Sequence, residues 1–250
     1  MAMAMAPRID VELKRYRKDY AHSYSFGVFP TLELLMFQTP LVLRVLASSR
    51  GLKNEGMLKI EATCRQHGIP FEVNDKLVDR LAPAENVYTI GVFWKYRQPL
   101  QQSAQHVVLV NPADMGNMGT IIRTMVGFDV PNLAIIRPGV DIFDPKVVRA
   151  SMGAIFQLAF EYYDSFDLYR QAFQSHKLYP LMTNGRATLK EVRFERPFTL
   201  VFGNESSGLP DEFLEIGTSV RIPHSDRIDS LNLPVAVGIA LYEAVGRFWA

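Results

Sequence analysis

With one cysteine, Cys64, in 250 residues, the chain can form no intrachain disulfide, and it reads as a protein of a reducing compartment, the cytoplasm. Metal chemistry is as thinly provided for. The five histidines are scattered, and neither His-Glu-x-x-His nor Cys-x-x-Cys occurs, so no zinc or redox centre is expected. No apolar run reaches the ~20 residues a membrane span needs, and the longest, Leu231 to Val245, carries Asn232 and Glu243. The opening Met1-Ala2-Met3-Ala4-Met5-Ala6-Pro7 lacks a basic segment and a sustained apolar stretch, and reads as a frayed start in place of a signal peptide. Three familiar loops are also missing. Gly-x-Gly-x-x-Gly is absent; Gly203 to Gly208 has the length of a Walker A loop but continues into Leu209-Pro210; and neither Ser206 nor Ser207 sits in Gly-x-Ser-x-Gly.

What is present is ordinary for a globular protein: 48% hydrophobic and 21% charged residues, enough for one large core or two moderate ones. The net charge of +1 conceals an asymmetry, because residues 1–100 hold 14 Lys and Arg against 10 Asp and Glu while residues 101–250 hold 13 against 16. The first part is the better suited to a polyanion. Within it, Lys14-Arg15-Tyr16-Arg17-Lys18-Asp19-Tyr20 interleaves cations with aromatics, a composition that can grip phosphates and stack bases, or equally form a solvated helix face.

Apolar periodicity predicts a polar amphipathic helix over 8–24, then a helix and a buried strand over 31–47 interrupted at Pro40. Further helices are expected over 54–67, stopped by Gly68, and over 75–81, with a strand over 70–73 between them. Gln98 to Ser103 is polar and proline-bearing, which places a domain junction there. Beyond it strands are expected over 107–110, 133–137, 155–160, 178–182, 198–202 and 219–222, with helices over 117–128, 144–152 and 165–176, a short one from Pro210 and a last one from Leu233. Unbroken apolar strands alternating with helices argue for a parallel sheet covered on both faces. The expected domains are thus 1–100, a small α/β module with an N-terminal helix, and 104–250.

Three polar, glycine-marked segments stand at the ends of apolar runs, as expected of one site at the carboxyl edge of an α/β sheet. In the first, Asn117-Met118-Gly119-Thr120-Ile121-Ile122-Arg123, a loop opens a helix, where backbone N–H groups attract anions and Arg123 offers a planar charged fork. A capped helix with a surface arginine would read the same. The second, Gly203 to Gly208, presents Glu205 in a glycine-bounded turn. The third joins Ile222-Pro223 to Ser230-Leu231-Asn232, before a helix whose Leu233, Ala236, Val237, Ala240, Leu241 and Ala244 recur at 3.6-residue spacing. That face is either core or a dimer interface.

Together and in this order, the segments resemble the SpoU (TrmH-like) branch of the SPOUT RNA methyltransferases. Asn117, Gly119 and Arg123 match its first motif, Gly203, Glu205 and Gly208 its second, and Ile222, Pro223, Ser230, Leu231 and Asn232 its third. Ser151-Met152-Gly153-Ala154 resembles its Ser-x-Gly-Ala segment. Met115, where many members have proline, and Pro234, where small or branched residues are usual, depart from the pattern. The resemblance implies a parallel-sheet α/β domain with a deep trefoil knot, S-adenosylmethionine as cofactor, a homodimer through the C-terminal helix, and methyl transfer to a ribose 2′-hydroxyl of rRNA or tRNA. It implies cofactor contacts near Gly203, Ile222, Leu231 and Asn232, and catalytic surroundings formed by Asn117, Arg123, Glu205, Ser230 and Asn232. Residues 1–100 look loosely like the ribosomal-protein-L30-like RNA-binding module that many members carry.

The chemistry is compatible. Methyl transfer from a sulfonium needs an in-line hydroxyl, so orientation supplies much of the rate, and Arg123, which holds its proton, suits a phosphate or a forming alkoxide better than the role of base. A noncatalytic RNA-binding protein and a base methyltransferase on the same fold are the alternatives.

Overall fold

A computed structural model describes residues 11–246. In chain order its elements are β1 (His22–Phe26), α1 (Val28–Phe37), β2 (Val42–Ala47), α2 (Glu55–Gln66), β3 (Phe71–Val73), α3 (Asp75–Leu81), β4 (Thr89–Trp94), β5 (His106–Val110), α4 (Met115–Gly127), β6 (Asn132–Ile136), α5 (Pro145–Ala150), β7 (Ala159–Tyr163), α6 (Phe166–Ala172), β8 (Lys177–Pro180), β9 (Ala187–Thr188), β10 (Phe198–Phe202), β11 (Val220–Arg221) and α7 (Leu233–Val245). The chain forms two compact units. One comprises residues up to Tyr96 together with Asp141–Gln157, the other Arg97–Val140 and the chain from Leu158 onward. The second unit is therefore not the continuous 104–250 that the sequence suggests, because 141–157 returns to the first.

The first unit is a four-stranded sheet in the order β1-β4-β2-β3, with only β2 and β3 parallel. The helix expected over 8–24 is absent from its described residues, 11–24. The carbonyl of Leu13 accepts from Arg80 Nη2 at 3.1 Å and that of Lys14 from Tyr24 Oη at 2.7 Å, so these groups serve tertiary bonds in place of a helical ladder. Tyr16 donates to Asp141, and Lys95 Nζ lies 4.8 Å from the centre of the Tyr16 ring. Two of the four cations in 14–18, Lys14 and Arg17, are ion-paired with Glu12 and Asp19 on the surface. The opening segment 1–7, expected to fray, lies outside the described residues. Cys64 is buried, and burial pushes its thiol up to about 11, which leaves it inert at neutral pH.

The second unit is a five-stranded, wholly parallel sheet in the order β7-β6-β5-β10-β8. Every residue of β5, β6 and β10 is buried, as strands covered on both faces require. The run expected as a strand over 155–160 is first a 3-10 turn, Ala154–Gln157, and only then β7. Likewise, β11 does not join the main sheet but pairs in parallel with β9. Helices α4 and α7 pack against each other.

From β5 the chain runs outward through β6 to β7, then resumes at the opposite edge with β8 and inserts β10 beside β5. The order of strands reverses between β5 and β10, and ligands of open parallel sheets bind in the crevice beyond the carboxyl ends of such a pair.

Candidate active site

The loops leaving β5 and β10 are tied together at this reversal. Asn111, just beyond β5, has a left-handed backbone (φ 55°), and its carbonyl accepts from Asn204 Nδ2 at 2.7 Å. Asn204 Oδ1 in turn accepts from the N–H groups of Ser206 (2.9 Å) and Ser207 (3.3 Å), closing a side-chain-capped turn. The chain doubles back so tightly that a Cβ at Gly203 would stand 2.1 Å from the carbonyl carbon of Gly208, itself at φ +67°. Only glycine fits at 203.

Glu205 is the centre of the arrangement. Its carboxylate accepts from the backbone N–H groups of Ala113 and Asp114, both at 3.2 Å, from Asn204 Nδ2 at 3.3 Å and from Asn117 Nδ2 at 3.5 Å. Asp114 caps α4 by accepting from the N–H of Asn117 at 2.7 Å. The loop before α4 was expected to draw in an external anion. Instead, the amides at 113 and 114 are satisfied by the protein's own carboxylate. With four donors around it, Glu205 is placed to orient Asn117 and the α4 entrance.

Helix α4 follows from Asp114 at its start and from Met118, Ile121, Ile122 and Met125, which recur on one face and are buried. Arg123 is on the other side. It is exposed, and among the described residues it forms no hydrogen bond or ion pair, which leaves its guanidinium free for a ligand.

A cavity of about 390 Å³ opens beside the 203–208 turn, in the range of small-ligand sites. Its floor includes Leu181, Phe202, Leu209, Val220 and Ile222, and its polar wall includes Glu205, Asp211, Asp229, His224, Ser230 and Asn184. Among the described residues no Lys or Arg lines it, so its charge favours a cation. Gly203, Ile222 and Leu231, which the resemblance names as cofactor contacts, line it, and so does Ser230, which it names among the catalytic surroundings. Asn232 does not: it is exposed, and it stands before α7 with no side-chain capping bond while its carbonyl accepts from the N–H of Ala236 at 3.0 Å. Pro234, in the first turn of α7, is buried there, so the helix begins where the sequence puts it. The Ser151–Ala154 segment belongs to the first unit and is not part of this cavity.

Sequence reading missed Asp114, Asn204, Asp229 and His224. The cap was legible, since Asp three residues before Asn117 is an ordinary helix start, whereas the cross-loop reach of Asn204 has no local signal. Among the described residues no group of three or more His, Cys, Asp or Glu could hold a metal ion.

The family model described as the SpoU rRNA Methylase family matches residues 104–242. The chain belongs to the SpoU rRNA methylase family. It is 32% identical to an uncharacterized tRNA/rRNA methyltransferase of Synechocystis, over 85% of this chain and 93% of that one. A putative tRNA (cytidine(34)-2′-O)-methyltransferase of Listeria innocua shares 35% identity over 56% of this chain and 86% of its own. Among solved structures, the AdoMet-bound rRNA methyltransferase of Sinorhizobium meliloti superposes with a TM-score of 0.76 at 26% identity, covering 92% of this chain and 88% of that one.

Proposed function

We propose that this SpoU-family protein is an S-adenosylmethionine-dependent RNA methyltransferase that methylates a ribose 2′-hydroxyl of rRNA or tRNA in the cytoplasm. The observation that carries the reading is the bridge from Glu205 to the α4 entrance, beside a cavity whose wall is acidic and whose floor is apolar. When bound, S-adenosylmethionine supplies an electrophilic methyl group on a cationic sulfonium. The carboxylates of Glu205, Asp211 and Asp229 suit that charge, and the backbone around Gly203, Ile222 and Leu231 is the cradle.

Glu205 fixes Asn117, and with it the start of α4, so that Arg123 two turns on holds the RNA phosphate and stabilises the alkoxide as it forms. Arg123 keeps its proton throughout. The acidic lining also favours exchange, because loss of the methyl group removes the cofactor's sulfonium charge and weakens its hold on the site.

Three further parts of the reading rest on the family. The deep trefoil knot is proposed for the second unit, consistent with its parallel sheet and the return of α7 against α4. The first unit is proposed as an RNA-binding module of the ribosomal-protein-L30 type, supported by its small mixed sheet and by its excess of basic residues. A homodimer through α7 is supported by Val235, Ile239 and Tyr242, exposed on one side of that helix at 50%, 38% and 66%.

The test is transfer of labelled methyl from S-adenosylmethionine to unmodified rRNA and tRNA, digested to nucleosides, with Arg123→Ala in parallel. A 2′-O-methylnucleoside that vanishes in the variant is the expected result. A methylated base would make the protein a base methyltransferase, and no label with the cofactor bound would make it a noncatalytic RNA-binding protein.

A further inference from the structure

We propose that His224 is a cofactor-binding residue, its Nε2 lone pair accepting a hydrogen bond from an N–H or O–H group of S-adenosylmethionine; this deepens the functional reading above and rests on it. The imidazole is anchored at one end. Nδ1 lies 2.9 Å from the carbonyl oxygen of Ile222, and a carbonyl can only accept, so Nδ1 carries the hydrogen. In the uncharged ring Nε2 is then an acceptor. Among the described residues nothing pairs with it, although the side chain is half-buried and lines the 390 Å³ cavity.

The anchor is itself part of the cavity wall. Ile222 and His224 belong to one short stretch that follows β11, so the bond from Nδ1 fixes the ring against the same backbone that is proposed to cradle the cofactor. The titratable side chains sharing that wall are Glu205, Asp211 and Asp229. They are acceptors when ionised, and Glu205 is already occupied by four donors. In its neutral form the ring therefore adds a directional acceptor to a site otherwise supplied with diffuse negative charge. A nucleoside sulfonium bears donors on its amino group, its ribose hydroxyls and its adenine amine, and one of these is the partner that a fixed acceptor selects.

Calorimetric titration with S-adenosylmethionine reads the proposal directly. His224→Phe keeps a planar ring and loses the acceptor, and its Kd should rise about tenfold, the cost of one unmet hydrogen bond. His224→Gln carries a side-chain oxygen of similar reach and should stay within about threefold of wild type. A measurement on the unaltered protein guards against variants that misfold. With ¹⁵N-labelled histidine, the Nε2 resonance of His224 should shift on saturation with S-adenosylmethionine while Nδ1 remains that of an N–H.

Unchanged affinity in His224→Phe overturns the proposal. So does an unmoved Nε2 resonance in wild-type protein that demonstrably binds, which would leave the ring a prop for its own loop. Failure of the wild-type protein to bind S-adenosylmethionine at all would instead take down the functional reading on which the proposal rests.

Discussion

The carboxylate of Glu205 accepts the backbone N–H of Asp114 at 3.2 Å across 91 positions of sequence, and Asp114 in turn holds the N–H of Asn117 at 2.7 Å. One ion thereby joins the ends of two neighbouring strands and sets the first turn of α4. Charge-assisted bonds of this kind are worth about 1.5–3 kcal/mol each, so the pair is sensitive to a change of a single atom. Glu205→Gln, which exchanges one acceptor oxygen for a donor, should lower methyl transfer by about 30-fold while the far-ultraviolet spectrum stays that of the wild type. Full activity in that variant would show that the bridge does not position the site.

Gly203 makes a sharper demand. A methyl group there would meet the backbone of Gly208 at 2.1 Å, and backbone cannot yield as a side-chain tip can. Overpacking typically costs about 1–3 kcal/mol, and the turn that bears Glu205 and borders the cavity would be displaced with it. Gly203→Ala is therefore expected to melt several degrees below wild type and to lose measurable affinity for S-adenosylmethionine. Thermal unfolding and calorimetry read the two effects separately.

Much of this site was legible because its parts are marked locally. Gly203, Glu205 and Gly208 stand directly after a strand whose five residues are all buried, and Asn117 and Arg123 lie on a helix with a clear apolar face. The first unit was harder to read. β1 and β4 are almost wholly buried, so neither alternates apolar with polar residues; Ser23 and Ser25 sit in β1 because their hydroxyls bond to the Phe143 carbonyl (2.6 Å) and to Thr31 (3.0 Å). Those partners are distant in sequence or in another element, and no window of the sequence displays them. The charged run before β1 does have helical spacing, but Arg80 and Tyr24 claim its carbonyls. Glu205 shows the same limit at the site: its place after β10 can be read, its grip on residues 113 and 114 cannot.

Arg123 tests function apart from stability. Because the side chain is exposed and makes no hydrogen bond or ion pair among the described residues, Arg123→Ala should change the unfolding free energy by no more than about 0.5 kcal/mol. Methyl transfer should fall by about 100-fold, as for removal of a group that stabilises developing negative charge. Arg123→Lys keeps the charge without the planar fork, and only partial recovery is expected from it. Equal activity in all three proteins would remove Arg123 from the reaction.

Acid should weaken the second unit before its carboxylates titrate. His106 is fully buried at the start of β5, where Nε2 lies 2.9 Å from the Gln101 carbonyl and Nδ1 2.9 Å from Tyr169 Oη. Burial lowers its pKa to about 4, and burial lowers that of His176 as well. An unfolded histidine titrates near about 6.5, so between these values the unfolded chain binds more protons than the folded one. Stability is then level above about pH 6.5 and falls as the pH drops toward 4. His106 alone should remove about 1 kcal/mol by pH 5.5, seen as a lower urea midpoint than at pH 7.5. Identical midpoints at the two pH values would mean that the pair is not buried uncharged.

The exposed side of α7 bears on assembly. Val235, Ile239 and Tyr242 recur at helical spacing and stand 50%, 38% and 66% exposed, while Val237, Ala240, Leu241 and Ala244 of the same helix are buried. A helix apolar on both sides is the pattern of an element with a core on one side and a partner on the other. Ile239→Asp would leave the inner face untouched and place a charge in the centre of the outer stripe, where burial against a second copy would strip it of water. Sedimentation over a range of concentrations should show the wild-type protein as a dimer and this variant as a folded monomer. A variant that still sediments as a dimer would place the contact on another surface, because a buried and unpaired carboxylate at the centre of an α7 interface is too costly to be absorbed.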